Sequence, residues 1–317
     1  MSTETVGVGG LPPIGPAVLT MGVFDGLHAG HRAILEAARS EAVERGVRSV
    51  ALVFDPHPEE VLRPGLVVPY LAPPAANLSR IRQLGLDWAL AIRFDATLRS
   101  LSAEDFLAAF APALDLCALV MSPESAFGRN RGGTVARMRE LGLERGFDVV
   151  VVDPVVVDGE VVSSSRVREA IEAGDVATAR RLGVAPYLEG TVVAGEGRGR
   201  EIGFTSATIR FDYVPAMPRP GVYAGLASAL SDGAMPLQPA LVSIGVRPND
   251  EDDGAIVVEA HLLDFDGDLS GRRIAVELVS RLRDALHFPT TRALLEQAQR
   301  DVVDARRALA AEPPSPA

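Results

Sequence analysis

The sequence predicts an α/β doubly wound domain with a parallel sheet, followed by an antiparallel β domain with a C-terminal helix. Three observations support this. Apolar runs alternate with helical patterns in the first half, which is typical of strands buried in a parallel sheet. Near Tyr187 the pattern changes to strands separated by turns rich in Gly, Pro, Asp and Asn. The 317 residues are enough to form two separate cores.

Five apolar runs in the first half are predicted as strands: AVLTMGVF, SVALVF, WALAIRF, ALVMS and DVVVVDPVVV. Helical patterns separate them, at residues 33–45 and in AANLSRIRQLG, SAEDFLAAFAPAL and VARMRELGLERG. Connections of this length place helices on both faces of the sheet. Such sheets bind ligands at the carboxyl ends of their strands.

A further helical segment, SSSRVREAIEAGDVATARRLG, precedes the change of pattern, and we expect a domain boundary near residue 186. Domain one is then 1–186 and domain two 187–317. Predicted strands in the second domain are LEGTVVAG, GVYAGLASAL, ALVSIGV and AIVVEAHLLDF, which form an antiparallel barrel or sandwich. A helix from about Ile274 to Ala310, broken at Pro289, is expected to close the domain.

Charge and composition exclude several functions. The formal net charge of −11 provides no basic field for nucleic acid or for an anionic membrane, and we expect neither as a partner. All 31 basic residues are arginine, so a Walker lysine and Schiff-base chemistry are absent. No apolar run is long enough for a membrane span and no leader pattern is present, so we expect a cytoplasmic protein. The oligomeric state has no signal in the sequence.

The stretch GVFDGLHAGH, residues 22–31, follows the first predicted strand. The chain is expected to turn at Asp25 and Gly26 and to begin a helix with His31. His28 and His31 would then lie at the strand's carboxyl end beside a helix N-terminus, which favours anions. The H-x-G-H pattern matches the signature of nucleotidylyl transferases, where Gly30 admits the nucleotide and the histidines hold the triphosphate. The alternative is a pair of surface histidines at a helix start.

The stretch VSSSRVRE also indicates phosphate binding. Ser163, Ser164 and Ser165 open a predicted helix, and Arg168 follows about one turn later. Hydroxyls, helix N–H groups and a guanidinium could therefore converge on the β and γ phosphates of a nucleotide. The alternative is helix capping by Ser164 or Ser165, with Arg168 solvated.

Seven motifs together resemble one family. VLTMGVFDGLHAGH, LVFDPHP, FGRNRGGT, SSSRVRE, GRGREIGF, GVYAG and HLLDFDGDLSG occur in the order and spacing of the bifunctional riboflavin kinase and FAD synthetase of bacteria. The resemblance covers nearly the whole chain. It implies an N-terminal nucleotidylyl transferase module that adenylylates FMN and a C-terminal six-stranded riboflavin kinase barrel, with ATP, FMN and riboflavin as substrates and Mg²⁺ as cofactor.

The resemblance also implies residue roles. His28 and His31 would contact ATP phosphates, while Asp55 and His57 would lie near the α-phosphate or the flavin phosphate. His57 could instead be a structural turn histidine between two prolines. Ser163, Ser164 and Arg168 would hold the leaving pyrophosphate during direct in-line attack, without a covalent intermediate. Further binding positions are expected at Gly22, Phe24, Asp25, Gly30, Gly128, Ser165, Gly197, Arg198 and Gly199.

Two departures from the family affect the acceptor side of the first module. Glu124 and Ser125 stand where the family usually carries Asp or Asn followed by Phe. Ala76 and Asn77 replace a usual Glu-Arg or Glu-Lys pair at the start of a helix. The adenylylation residues are kept, but the acceptor pocket is expected to differ.

The kinase module departs further. The family's Pro-Thr-Ala-Asn reads TSAT here, so Ser206 and Thr208 are the expected Mg-ATP ligands, and Thr208 lacks the carboxamide of Asn. Glu259 aligns with the family's catalytic glutamate, which would take a proton from the ribityl hydroxyl; the alternative is a solvated charge on an edge strand. Ala285 replaces a usual Glu before the last helix. These changes predict an impaired or repurposed kinase.

The leading hypothesis is therefore an FMN adenylyltransferase whose kinase activity is reduced or absent. A second hypothesis keeps both activities, with water completing the metal site. A third is a paralogue that adenylylates another flavin or small phosphate, because Glu124 adds negative charge near an anionic acceptor. A fourth is a flavin-binding regulator without turnover, which the complete triphosphate motif disfavours.

Overall fold

The computed structural model describes residues 5–193, 205–230, 236–246 and 256–311. Within these ranges, residues 5–68 and 73–163 form one compact unit. Residues 69–72 and the described part of 164–311 form the second. The boundary near residue 186 stays a prediction.

The first unit alternates strands and helices. Its elements in chain order are β1 (Gly15–Gly22), α1 (Ala29–Arg45), β2 (Arg48–Asp55), α2 (Pro58–Leu62), α3 (Pro74–Gln83), β3 (Trp88–Arg93), α4 (Ala96–Ser100), α5 (Ala103–Phe110), β4 (Leu114–Met121), β5 (Ala126–Phe127), β6 (Gly133–Thr134), α6 (Val135–Arg145), β7 (Asp148–Val151), β8 (Val156–Val157) and β9 (Glu160–Val161).

Five of these strands form one parallel sheet in the order β3-β2-β1-β4-β7, which confirms the predicted doubly wound fold. From β1 the chain adds β2 and β3 on one side, and β4 and β7 on the other. The strand order therefore reverses between β1 and β4. Ligands of open parallel sheets bind in the crevice at the carboxyl ends of such a pair, and the H-x-G-H segment follows β1 directly.

Helix α1 begins two residues earlier than predicted. The prediction placed its start at His31, but His28 caps the helix and Ala29 is its first residue. The cap forms because an imidazole nitrogen can accept a backbone N–H that has no partner within the helix. The helix buries Leu35, Ala38 and Ala42 as the apolar periodicity predicts.

The apolar run DVVVVDPVVV is not one strand, contrary to the prediction. Strand β7 ends at Val151, and Val156–Val157 pairs with Glu160–Val161 in a short hairpin instead. The pairing of β7 with β4 stops at Met121, where β4 ends, and Pro154 between the two segments has no N–H to donate to a further ladder.

The second unit contains two helices, six described strands and a last helix. They are α7 (Ser164–Glu172), α8 (Val176–Arg181), β10 (Tyr187–Val193), β11 (Thr205–Arg210), β12 (Gly221–Ala229), β13 (Gln238–Val246), β14 (Ile256–Leu262), β15 (Arg273–Arg283) and α9 (Thr291–Ala311). The strands close into an antiparallel barrel in the order β10-β11-β14-β13-β12-β15. This confirms the barrel and excludes the sandwich.

The predicted helix from Ile274 is wrong over its first part. Residues Arg273–Arg283 are strand β15, which pairs with β10 and β12, and the helix begins only at Thr291. Ile274, Val276 and Leu278 alternate into the barrel core, but residues on the other face are buried as well. A strand covered on both faces reads as a continuous apolar run, which periodicity cannot distinguish from a buried helix.

In the described part of the chain, no helix has the length and apolar character that crossing a membrane requires.

Candidate functional site

The loop between β1 and α1 has an unusual backbone. Phe24, Gly26 and Leu27 have positive φ angles of 50°, 73° and 52°. Glycine adopts this region freely, whereas other residues pay roughly 1–2 kcal/mol for it. Asp25, Gly26 and Leu27 are all buried in a short 3-10 turn. The turn connects the end of β1, at Gly22, to helix α1, which His28 caps and which contains His31.

His28 and His31 lie against each other at the start of α1. Their rings stack with centroids 3.6 Å apart and an angle of 19° between planes. The His28 Nδ1 accepts the His31 backbone N–H at 3.3 Å. In this arrangement the His28 Nδ1 carries no proton, so its Nε2 is the donor of the neutral ring. His28 is 6% exposed, which limits the water that competes for it.

Gly30 lies close to Val162, the last residue before the serine run. A Cβ at Gly30 would lie 3.2 Å from the His28 ring and 3.7 Å from the carbonyl oxygen of Val162. Val162 directly precedes Ser163, so the start of α1 and the approach to the serine run are neighbours. A side chain at position 30 would fill the space between them, and the nucleotide-binding role of Gly30 stays a prediction.

The serine run begins helix α7 at Ser164, as predicted, with Ser163 immediately before it and Ser165 in its first turn. Arg168 lies about one turn later, and its Nε donates to the carbonyl oxygen of Pro69 at 2.7 Å. This bond restrains the guanidinium, whose terminal NH2 groups are the kind of donor that phosphate oxygens accept.

Asp55 ends strand β2 and accepts the Thr5 hydroxyl at 2.7 Å. Gly22 on β1 pairs with Val53 on β2, so both strands end at the same edge of the sheet. The His57 Nδ1 accepts the Glu59 backbone N–H at 3.2 Å and caps helix α2. That cap gives His57 a structural role, and its catalytic role stays a prediction.

Gly128, another predicted binding position, lies in a close backbone contact. Its φ angle is 73°, and a Cβ there would lie 3.0 Å from the Ala103 nitrogen. The glycine is therefore required by packing, whatever else it contacts. The nearby Ser125 hydroxyl lies 2.7 Å from that of Ser122, and the Glu124 carbonyl accepts from Arg131 at 2.9 Å.

In the barrel, β11 and β14 bring the three predicted residues Ser206, Thr208 and Glu259 together with His261. Thr208 pairs with Glu259, and Ser206 pairs with His261. The alternate residues Ala207, Val258 and Ala260 lie in the barrel core. The four polar side chains therefore share the outer face of the barrel wall, as strand alternation predicts.

This face contains the half-buried His261. Burial lowers the pKa of His261, while the Glu259 carboxylate acts in the opposite direction. Within the described ranges, the buried His261 Nδ1 has no hydrogen-bond partner. Thr208 is 8% exposed. Gly197, Arg198 and Gly199, which the resemblance assigns to binding, lie outside the described residues.

Two residues around the nucleotide motif were not predicted as site residues. Asn77 appeared only as a departure from the family, yet its Oδ1 accepts the Gly26 N–H at 3.2 Å. Pro69 had no sequence signal, because a carbonyl oxygen is common to every residue. Contacts of this kind depend on chain segments far apart in sequence.

Two family models match the chain: FAD synthetase at residues 13–166 and riboflavin kinase at residues 182–309. A bifunctional riboflavin kinase/FMN adenylyltransferase of Pseudomonas fluorescens is 37% identical over 93% of both chains. The enzymes of the same name from Escherichia coli K12 and Listeria monocytogenes are 33% and 31% identical, each over 91% of both chains.

A solved structure is similar along almost the entire backbone. It is described as a macrolide-efflux protein from Streptococcus pneumoniae, and it superposes with a TM-score of 0.84 at 26% identity. The match covers 95% of this chain and 98% of the other.

Proposed function

The chain belongs to the bifunctional riboflavin kinase/FMN adenylyltransferase family, and we propose that it transfers AMP from ATP to FMN while its riboflavin kinase activity is reduced. The observation that carries the transferase proposal is the stacked His28–His31 pair at the end of β1. It lies where the strand order of the parallel sheet reverses, with the approach to the serine run beside Gly30.

The reaction is a direct displacement at the α-phosphorus of ATP. A phosphate oxygen of FMN forms the new P–O bond, the bond between the α-phosphorus and the bridging oxygen breaks, and pyrophosphate leaves. The His28 Nε2–H and the N-terminal N–H groups of α1 are donors for phosphate oxygens. Ser163, Ser164 and Arg168 are assigned to the pyrophosphate, whose negative charge grows as the bond breaks.

The family uses Mg²⁺ with ATP, and the barrel offers oxygen donors that suit it. Ser206 and Thr208 share one face with the Glu259 carboxylate, and Mg²⁺ prefers oxygen ligands completed by substrate phosphates and water. Ser206 and Thr208 would hold the ion there. When bound, Mg²⁺ neutralises phosphate charge.

The proposal of reduced kinase activity depends on Thr208. A threonine hydroxyl lies one atom nearer the backbone than the carboxamide oxygen of Asn, the residue at this position in the resembling family. Thr208 is also largely buried. A ligand that is both shorter and covered is expected to hold Mg-ATP less well.

A chain with both activities is the second candidate function. The observation in its favour is that Glu259 and Ser206 still share one face, so the assigned proton acceptor and one hydroxyl ligand are kept. In this version water replaces the missing carboxamide oxygen. For both candidate functions we place the reaction in the cytoplasm, because ATP and free flavin are available there.

Adenylyl transfer is tested by incubating flavin-free protein with Mg-ATP and FMN, and by measuring FAD and pyrophosphate together. Equal amounts of the two products are expected, and GTP in place of ATP is the control. FAD without pyrophosphate would contradict direct displacement. Absence of both products would contradict the transferase proposal and favour another acceptor or a binding protein without turnover.

A further inference from the structure

Asn77, on helix α3, is hydrogen-bonded to the loop that precedes the histidine pair. We propose that Asn77 is a positioning residue for ATP, acting through its hydrogen bond to Gly26; the proposal rests on the adenylyltransferase function. Asn77 lies near the start of α3 (Pro74–Gln83), and it is absent from the H-x-G-H and serine motifs.

The first line of support is the bond itself. The Asn77 Oδ1 accepts the Gly26 N–H at 3.2 Å, and Asn77 is only 2% exposed. A buried amide without hydrogen bonds is costly, and so is a buried backbone N–H without an acceptor. The bond therefore satisfies two polar groups at once and restricts where Gly26 can lie.

Gly26 belongs to a backbone segment with positive φ angles. Phe24 and Leu27 on either side of it hold left-handed conformations, which cost free energy and persist only when neighbouring structure maintains them. Helix α3 supplies that structure. Leu78 and Ile81 of α3 belong to the same buried cluster as Phe24 and Leu27, while Asn77 supplies the polar contact at Gly26.

The loop is connected directly to the phosphate-binding residues. Leu27 precedes His28, and its carbonyl oxygen accepts from the Arg32 Nε at 3.1 Å. His28 in turn caps α1 and stacks on His31. Displacement of Gly26 would therefore move both imidazoles relative to the end of β1. Binding of a triphosphate depends on that position, and adenylyl transfer is sensitive to small displacements.

The test compares three variants with the wild type by steady-state kinetics of FAD formation. Asn77→Leu keeps approximate size but removes the acceptor, and Asn77→Ser is a smaller polar variant that cannot reach Gly26. Leu78→Ala is the matched control, because it weakens the packing of the same helix without touching the bond. Thermal unfolding measures the stability of each variant.

We expect both Asn77 variants to raise the KM for ATP about tenfold, which corresponds to the loss of one buried hydrogen bond. The KM for FMN should change less than twofold. Leu78→Ala should lower the unfolding temperature. Because Leu78 also packs against the loop, this variant should raise the KM for ATP too, but by clearly less than the Asn77 variants do.

Three results would overturn the proposal. An unchanged KM for ATP in the Asn77 variants would remove the positioning role. An equal rise in Leu78→Ala, or equal rises in the KM for ATP and for FMN, would reduce Asn77 to a packing residue. No FAD from the wild type would contradict the proposed function and this inference with it. If the wild type does form FAD, the proposed function stands and only the role of Asn77 is in question. If Asn77→Leu does not fold, Asn77→Ser decides alone.

Discussion

Thr208 and Glu259 lie directly opposite each other on β11 and β14, on the outer face of the barrel wall. Thr208, which stands where the resembling family carries Asn, is therefore the immediate neighbour of Glu259, the assigned proton acceptor. Loss of the proton acceptor and loss of a metal or nucleotide ligand can therefore be tested at two neighbouring positions. Loss of the acceptor would abolish phosphorylation of riboflavin, whereas loss of a metal or nucleotide ligand next to it would weaken ATP binding.

Thr208→Asn is expected to increase phosphorylation of riboflavin, because it restores a carboxamide oxygen beside Glu259. An increase of about tenfold corresponds to one added ligand interaction. Thr208→Val is the matched control, since it keeps the shape and removes the hydroxyl. Kinase rates are measured with riboflavin and Mg-ATP. Equal rates in both variants and the wild type would show that position 208 does not limit the kinase.

Glu259→Gln is expected to lower any riboflavin phosphorylation by about 10²-fold or more, the usual contribution of a general base. FAD formation from FMN should stay unchanged, because Glu259 lies in the barrel. Both rates are measured on one preparation. A kinase rate equal to that of the wild type would assign Glu259 to the solvated-charge alternative.

His28→Ala removes the cap of α1 and the assigned phosphate donor. We expect kcat/KM for FAD formation to fall about 10²-fold, because hydrogen bonds to charged groups are stronger than neutral ones. His287→Ala is the control, since His287 is exposed and lies between β15 and α9. Equal activity of the two variants would contradict the triphosphate site.

Asp301→Ala is expected to destabilise the barrel unit by about 1.5–3 kcal/mol, the usual contribution of hydrogen bonds to a charged group, because the Arg283 left behind is 20% exposed and stays partly solvated. Asp301 is 3% exposed and accepts from both Nε and Nη2 of Arg283 on β15, which attaches α9 to the barrel. Urea unfolding measures the loss. A double change, Arg283→Met with Asp301→Leu, should lose less than the single variant.

The Asp87 carboxylate predicts a dependence of stability on pH. Burial acts to raise its pKa, but hydrogen bonds from the Ser49 N–H and hydroxyl, with Arg48, lower it below the ordinary 3.8. Because the pKa is lower in the folded protein, the ionised Asp87 stabilises the fold at pH values above 3.8. This stabilisation is lost as the pH falls below 3.8 towards the pKa of the folded protein. Asp87→Asn should therefore be less stable than the wild type at pH 7, with the difference shrinking below pH 3.8. A difference independent of pH in urea unfolding would contradict this.

Local sequence patterns predicted the strands of the parallel sheet but missed two strands of the barrel. The apolar runs of β1 to β4 lie where expected, because strands buried on both faces of a sheet have continuous apolar sequences. β15 was mistaken for a helix, since its two covered faces hide the alternation. β11 was missing from the strands predicted by apolar pattern, because TSATIR is polar on its outer face. The bond between Asn77 and Gly26 joins residues 51 positions apart, beyond any local pattern.

Product analysis after flavin-free protein is incubated with Mg-ATP and either riboflavin or FMN distinguishes the two activities. FAD from FMN, with little or no FMN from riboflavin, is the predicted result. It would establish an adenylyltransferase joined to a weakened kinase barrel. Efficient formation of FMN and FAD from riboflavin would contradict the kinase part, and no FAD from FMN would contradict the transferase itself.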